Sequence, residues 1–173
     1  GGDIPLPLRP SMRVIRAAFS PDGEHVVLAT EDHGQVKIWA AHGSREKWRC
    51  IARHGHKADR LENDIQTRFS WHPNGRICTY TLALEDKNYF VSIDLETGHS
   101  VKKELSRIDE IRDFAYSPDG SIIVFSGLRQ GQSDLYRYNV LGNTNSPLWE
   151  DSFDDLQPAF SPDGRWLYFA SNR

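Results

Sequence analysis

The sequence is poor in sulfur, with a single methionine and two cysteines, Cys50 and Cys78, in 173 residues. Two cysteines are too few for a disulfide framework and stand too far apart for a Cys-x-x-Cys redox or zinc motif. Both are read as packed, inert thiols. Long apolar runs are missing as well: nothing approaches the roughly 20 residues needed to cross a bilayer. The opening Gly1-Gly2-Asp3-Ile4-Pro5 has no basic and apolar signal pattern. The expectation is a soluble chain with no membrane-spanning segment, and the missing initial Met suggests a mature, tagged or excised form. A basic field is also lacking, because 21 Lys and Arg against 24 Asp and Glu leave a net charge of −3 and the cations are scattered. Nucleic acid is therefore not expected as a partner.

Catalytic signatures are absent too. There is no Gly-x-Ser-x-Gly elbow, no His-Glu-x-x-His, no glycine-rich phosphate loop and no EF-hand spacing. Among the histidines only His54 and His56 stand close enough to share a ligand on an extended segment. Asp59 would give them a zinc-binding set, but the charged surroundings read as a solvated loop. Asp151, Asp154 and Asp155 carry the oxygens a hard cation takes, yet a structural role at a strand entrance accounts for them. The reading is no catalytic residue, no metal and no cofactor.

What the chain does have is an internal repeat, which takes precedence over residue-level reading. Ala18-Phe19-Ser20-Pro21-Asp22-Gly23 recurs as Phe69-Ser70-Trp71-His72-Pro73-Asn74-Gly75, Ala115-Tyr116-Ser117-Pro118-Asp119-Gly120 and Ala159-Phe160-Ser161-Pro162-Asp163-Gly164. The prolines are 52, 45 and 44 residues apart. Pro presets φ at the first turn position, Asp or Asn suits the second, and Gly accepts the positive φ that reverses the chain, so each unit is a hairpin turn. The serines, Ser20, Ser117 and Ser161, are turn residues and not nucleophiles. Behind each turn runs a strand apolar on both sides, such as Val26-Val27-Leu28-Ala29 or Ile122-Ile123-Val124-Phe125, as expected of strands buried between stacked sheets.

The third unit reads furthest: a polar loop over Leu128–Ser133, a strand over Asp134–Val140, a turn over Leu141–Ser146, and a short edge strand at Pro147-Leu148-Trp149, where proline is tolerated. The second repeats it, with Arg76–Leu82, a loop around Glu85-Asp86-Lys87-Asn88, Tyr89–Asp94, a turn at Glu96-Thr97-Gly98, and Ser100–Leu105. Four strands per roughly 45 residues make a propeller blade. The fold class is thus all-β, a β-propeller of four-stranded antiparallel blades, incomplete at three to four blades. Its parts are an N-terminal segment (1–15), blade 1 (16–55), a charged connection (56–66) with at most one helical turn, blade 2 (67–106), blade 3 (107–150) and the first half of blade 4 (151–173). The five tryptophans, at 39, 48, 71, 149 and 166, are expected to pack between blades.

These units resemble the repeats of TolB-like β-propellers, in which an Asp precedes a Pro-x-(Phe or Trp)-Ser-Pro-Asp-Gly core followed by an apolar strand and a Ser-Asn-Arg-like loop. Asp155-Leu156-Gln157-Pro158-Ala159-Phe160-Ser161-Pro162-Asp163-Gly164, with Phe169-Ala170-Ser171-Asn172-Arg173, fits throughout. The third unit has Asp113 in place of the proline, and the second has an extra residue between Ser70 and Pro73. The resemblance implies that Asp155 satisfies backbone donors at the blade entrance. The first unit also resembles WD-repeat propellers through Gln35-Val36-Lys37-Ile38-Trp39 and Gly55-His56, with Ala40 where that family has Asp.

Propellers bind with the loops at one end of the ring, which vary while packing fixes the strands. The loops before each innermost strand and between its second and third strands supply Asp64, Asp109, Glu110, Arg112, Arg129, Gln130, Asp155, Asn172 and Arg173. Mixed charge rich in Arg suits a protein or peptide partner. The TolB resemblance implies a non-catalytic scaffold in a bacterial envelope complex, periplasmic or associated with the outer membrane. The competing expectations are a propeller gating a peptidase of the prolyl oligopeptidase type and a cytoplasmic WD-type adaptor.

Overall fold

The computed structural model describes residues 8–43, 45–55, 68–84 and 86–173. The connection at 56–66, with His56, Asp59 and Asp64, and Glu85 lie outside them. Among the described residues there is no helix. Strands β1 (Arg13–Phe19), β2 (His25–Asp32), β3 (Gln35–His42) and β4 (Arg45–His54) form one antiparallel sheet in chain order. A second follows with β5 (Phe69–Trp71), β6 (Ile77–Leu84), β7 (Lys87–Asp94) and β8 (Ser100–Leu105), and a third with β9 (Glu110–Tyr116), β10 (Ile122–Arg129), β11 (Gln132–Asn139) and β12 (Thr144–Trp149). A two-stranded sheet of β13 (Asp155–Phe160) and β14 (Leu167–Ser171) completes the chain. The first strands of successive sheets touch, β1 on β5, β5 on β9 and β9 on β13, while β13 also lies across β10 and β11. The sheets are stacked blades, an incomplete propeller.

The double-sided apolar strands explain the stacking. Val27, Ile38 and Ala40 of blade 1 meet Cys78, Tyr80, Val91 and Ile93 of blade 2, all buried. The opposite face of blade 2 sends Phe90 and Leu105 against Ile111, Phe114, Phe125, Tyr136 and Tyr138 of blade 3. Each Val, Leu, Ile or Phe so buried contributes about 1.5–3 kcal/mol, and the core is a series of layers between neighbours. Polar groups bridge the blades as well: the Thr79 hydroxyl lies 2.7 Å from both the Ser92 hydroxyl and the phenol of Tyr116 in blade 3. Cys50 and Cys78 are not bonded to each other.

The turns carry the sequence repeat into hydrogen bonds. In blade 3 the Ser117 hydroxyl donates to Asp119 Oδ1 (2.5 Å), which also accepts from the Ser121 N–H (3.0 Å), and Gly120 N–H donates to the Ser117 carbonyl (2.8 Å). Ser20 with Asp22 and Ser161 with Asp163 repeat the arrangement. In blade 2, His72 holds the serine's place: its N–H donates to the Ile77 carbonyl (2.9 Å), and its Nδ1 accepts from Asn74 N–H (3.2 Å). Trp71 therefore corresponds to Phe19 and Tyr116, and no residue is inserted. The same register puts Phe114, opposite Phe125, where the fourth unit has Pro158; Asp113 is its neighbour and not its equivalent.

Each turn also sits on the next. A Cβ on Gly75 would meet Asp22 Oδ2 at 2.2 Å, one on Gly120 would meet His72 Nε2 at 2.1 Å, and one on Gly164 would touch Pro118 at 3.7 Å, all three glycines having φ near +70°. Glycine in these turns thus does two jobs, reversing the chain and admitting the preceding blade's turn.

The turn carboxylates make stability depend on acidity. Asp119 is lowered to about 2 by the Ser117 hydroxyl and the Ser121 donors, and Asp94 to about 2 by Arg76 and the Thr97 and Glu96 N–H groups. Asp22 and Asp163 are lowered by Ser20 and Ser161. Values depressed below the unfolded carboxylate's roughly 3.9 stabilise the fold above that pH and lose the effect as pH falls through the folded values. The urea midpoint is expected to drop between about pH 4 and pH 2, and less steeply in Asp119→Asn.

Several strand boundaries differ from the sequence reading. In blade 2, Lys87 and Asn88 belong to β7 and not to a loop, because β6 and β7 stay paired out to Leu84 and Lys87. The polar loop at Leu128–Ser133 shrinks to Gln130-Gly131, whose φ values of 53° and 87° are those of a type I′ turn, matching the strand twist and letting β10 and β11 pair out to Arg129 and Gln132. The outer strand β12 likewise starts at Thr144, ahead of the proline. Trp149 and Trp166, expected between blades, are 52% and 65% exposed: Trp149 is on an outermost strand, and Trp166 stands just ahead of β14 of the two-stranded sheet.

Candidate interaction face

In an antiparallel meander the hairpins joining second to third strands and the connections into the next blade all lie opposite the proline turns. This end gathers most of the residues that the loop argument selects. Asp109 Oδ2 accepts the Gln130 N–H (2.8 Å), and the Asp109 N–H donates to the Leu128 carbonyl (2.8 Å), tying the connection into blade 3 to that blade's own hairpin. The buried Asn88 side chain donates to the Ile108 and Asp109 carbonyls at 3.0 and 2.9 Å, fastening the same connection to blade 2. The face is built on rigid strand ends.

Between blade 3 and the half blade the contacts are denser. Asp154 accepts the Ser133 N–H (3.0 Å), and its own N–H donates to Asn172 Oδ1 (2.8 Å). Arg129 stands 3.8 Å from Glu150. Arg173 pairs with Asp151 and lies 5.3 Å from the Trp149 ring centre and 5.8 Å from that of Phe153, within cation–π range. The Trp149 indole donates to Asp151 Oδ2 (2.9 Å), and Asp151 is held below the usual carboxylate range by the Phe153 N–H first and then by this indole. Asp134 moves the opposite way, because burial and the neighbouring Glu150, Asp155 and Asp151 charges disfavour its ionised form.

Arg112 and Glu110 are side by side at the start of β9, 3.9 Å apart and both part-exposed. Asp109, Gln130, Asn172 and Arg173 are exposed and Arg129 is partly so; Asp64 lies outside the described residues. Asp155 is the exception. It is 0% exposed, neither carboxylate oxygen has a hydrogen-bond partner, and its backbone carbonyl accepts from the Ser126 hydroxyl at 2.7 Å. Counting back from the turn serines, it occupies the place of the buried Ile111, so it turns into blade 3 and touches no solvent. Asp154, one residue earlier, takes the entrance role expected of it. The sequence reading missed Trp149, Glu150, Asp151 and Phe153; Trp149 beside two carboxylates was the available signal. It also missed the Arg68–Asp113 ion pair (3.0 Å) joining blades 2 and 3.

Among the described residues no three His, Cys, Asp or Glu side chains converge in metal-holding geometry, and no helix is long and apolar enough to cross a membrane. No family model matches the chain. It is 30% identical over 102 residues to an uncharacterized protein of Agrobacterium fabrum, covering 58% of this chain and 34% of that one. It is 26% identical over 151 residues to the tricorn protease of Thermoplasma acidophilum, covering 81% and 14%. The crystal structure of a putative TolB from Agrobacterium tumefaciens matches with a TM-score of 0.70 at 22% identity, covering 90% of this chain and 53% of that one. The chain spans about a third of the length of the first relative and about a seventh of the second. The fold is that of a TolB-like β-propeller.

Proposed function

We propose that this chain is a non-catalytic protein-interaction scaffold, a TolB-like propeller module of a bacterial cell-envelope complex in the periplasm or at the outer membrane. It binds other proteins or peptides through the hairpin-and-connection end of its blades. The observation that carries the reading is the cluster at the junction of blade 3 and the half blade, where Arg173, Trp149 and Phe153 stand exposed and Arg129 partly so on a frame of backbone hydrogen bonds. Arg and Trp so held are the residue types that anchor protein interfaces, because they offer area and charge-assisted hydrogen bonds at little ordering cost. The likeness to the TolB fold supports the envelope setting.

A second reading has its own support. The tricorn protease match covers most of this chain, which favours a propeller that accompanies a peptidase domain in one polypeptide. The two separate in one comparison. Affinity capture from an envelope extract with the parent chain and with the Arg112→Ala/Arg129→Ala pair is expected to retain a partner on the parent and lose at least about tenfold in affinity on the variant, two anchors at more than about 1 kcal/mol each. Equal retention on both overturns the face assignment, and peptide hydrolysis by the native polypeptide would establish the peptidase reading.

A further inference from the structure

We propose that Trp149, Phe153 and Asp151 form a cage for a guanidinium group, and that an arginine side chain of the partner takes the seat now filled by Arg173. This seat lies on the interaction face proposed above, so its use by a partner rests on that reading. The Arg173 guanidinium carbon is 5.3 Å from the Trp149 ring centre and 5.8 Å from that of Phe153, and the same group pairs with Asp151. Two aromatic walls and a carboxylate suit a guanidinium, whose flat faces are drawn to ring π-density while its edge donates to carboxylate oxygens.

The walls are fixed without help from the cation. Asp151 Oδ1 accepts the Phe153 N–H at 2.8 Å, Oδ2 accepts the Trp149 indole N–H at 2.9 Å, and the Asp151 carbonyl accepts the Gln132 side-chain amide. Carboxylate, indole and loop hold one another, so the cage is preorganised for a cation whether or not Arg173 fills it. The occupant is the loose part: 44% of the Arg173 side chain is exposed, and Trp149 and Phe153 are open at 52% and 39%. An incoming cation reaches the seat with no buried group having to move.

The repeat supplies a control for what the fold itself requires. One unit earlier, at the junction of blades 2 and 3, the places of Trp149, Asp151 and Phe153 hold Leu105, Arg107 and Asp109, and the place of Arg173 holds Arg129. Leu105 is buried, and Arg129 stands 3.8 Å from Glu150. That junction closes with no aromatic wall, so packing one blade on the next does not call for the cage.

The test uses Arg173→Ala in the full chain, which vacates the seat at an exposed position; thermal unfolding close to the parent's verifies the fold. N-acetylarginine methylamide is titrated in while the Trp149 indole N–H is followed by NMR, the resonance being identified by its loss in Trp149→Phe. A saturable shift is expected in Arg173→Ala, with about tenfold more probe needed in the parent, where Arg173 competes. The neutral isostere N-acetylcitrulline methylamide is expected to give none. For the same reason Arg173→Ala is expected to capture the partner from an envelope extract about tenfold more tightly than the parent. No saturable shift in Arg173→Ala, an equal response to the citrulline probe, or weaker capture by Arg173→Ala would each overturn the cage. Any of these together with loss of capture in the Arg112→Ala/Arg129→Ala pair would strike the cage alone and keep the interaction face.

Discussion

Phe90→Ala is expected to destabilise the protein by about 3–5 kcal/mol, the largest effect of any single truncation considered, read as a fall in the equilibrium urea midpoint. Phe90 is 1% exposed and is the hub of the layer between blades 2 and 3. Its ring centre lies 5.0 Å from Phe114, 5.5 Å from Phe125 in an edge-on arrangement and 5.6 Å from Tyr138. Truncation removes the apolar area and the edge-to-face contacts, and the cavity closes poorly because the three rings around it are held by a separate blade. The neighbours give the control. Phe125→Ala removes the partner of the same contact, so the double variant should lose less than the sum of the singles, whereas Val27→Ala, in the layer between blades 1 and 2, should add to Phe90→Ala within about 0.5 kcal/mol. A coupling of the second kind, or none of the first, would mean that the layers are not separate units.

The second large effect concerns the turn stack. Gly120→Ala is expected to cost about 1–2 kcal/mol for an L side chain at positive φ and about 1–3 kcal/mol more for the overlap with the His72 ring. Gly23→Ala has a similar φ, +73° against +74°, but nothing within 4 Å of the added carbon, so it should show the first part alone. The comparison isolates the stacking of one turn on the next. His72→Ser, which restores the serine of the other three turns, should recover most of the excess in Gly120→Ala and none of the cost in Gly23→Ala. Equal losses at the two glycines would show that the turns do not nest.

The architecture was legible because its signals are local and repeated. Pro at the first turn position and Gly two residues later mark a hairpin whatever lies around them, and strands apolar on both faces announce stacked sheets. The misreadings came from identity standing in for geometry. Ser70 beside Trp71 looked like the motif's serine, but a turn needs only an acceptor and an N–H at that point, and His72 supplies both. The hairpin at Gln130-Gly131 was drawn too long because its flanking residues are polar, although the Gly at its second position allowed the tighter reading. At the interaction face, Asp109, Arg129, Gln130, Asn172 and Arg173 were found from loop position alone, since a meander sends these loops to one end. Asp155 could not be sorted this way, because burial of a strand's first residue depends on the neighbouring blade. The stacking of Arg173 on Trp149 likewise joins residues of different blades, and no spacing rule reports it.

The measurement that goes to the centre of the account is the hydrogen-exchange footprint of the partner captured by this chain. Slowed exchange at 107–112, 128–132, 149–155 and 171–173, with the turns at 20–24, 72–76, 117–121 and 161–165 unchanged, is the result predicted for a scaffold that binds through its hairpin-and-connection end. Protection confined to the turns, or none at the junction of blade 3 and the half blade, would contradict it.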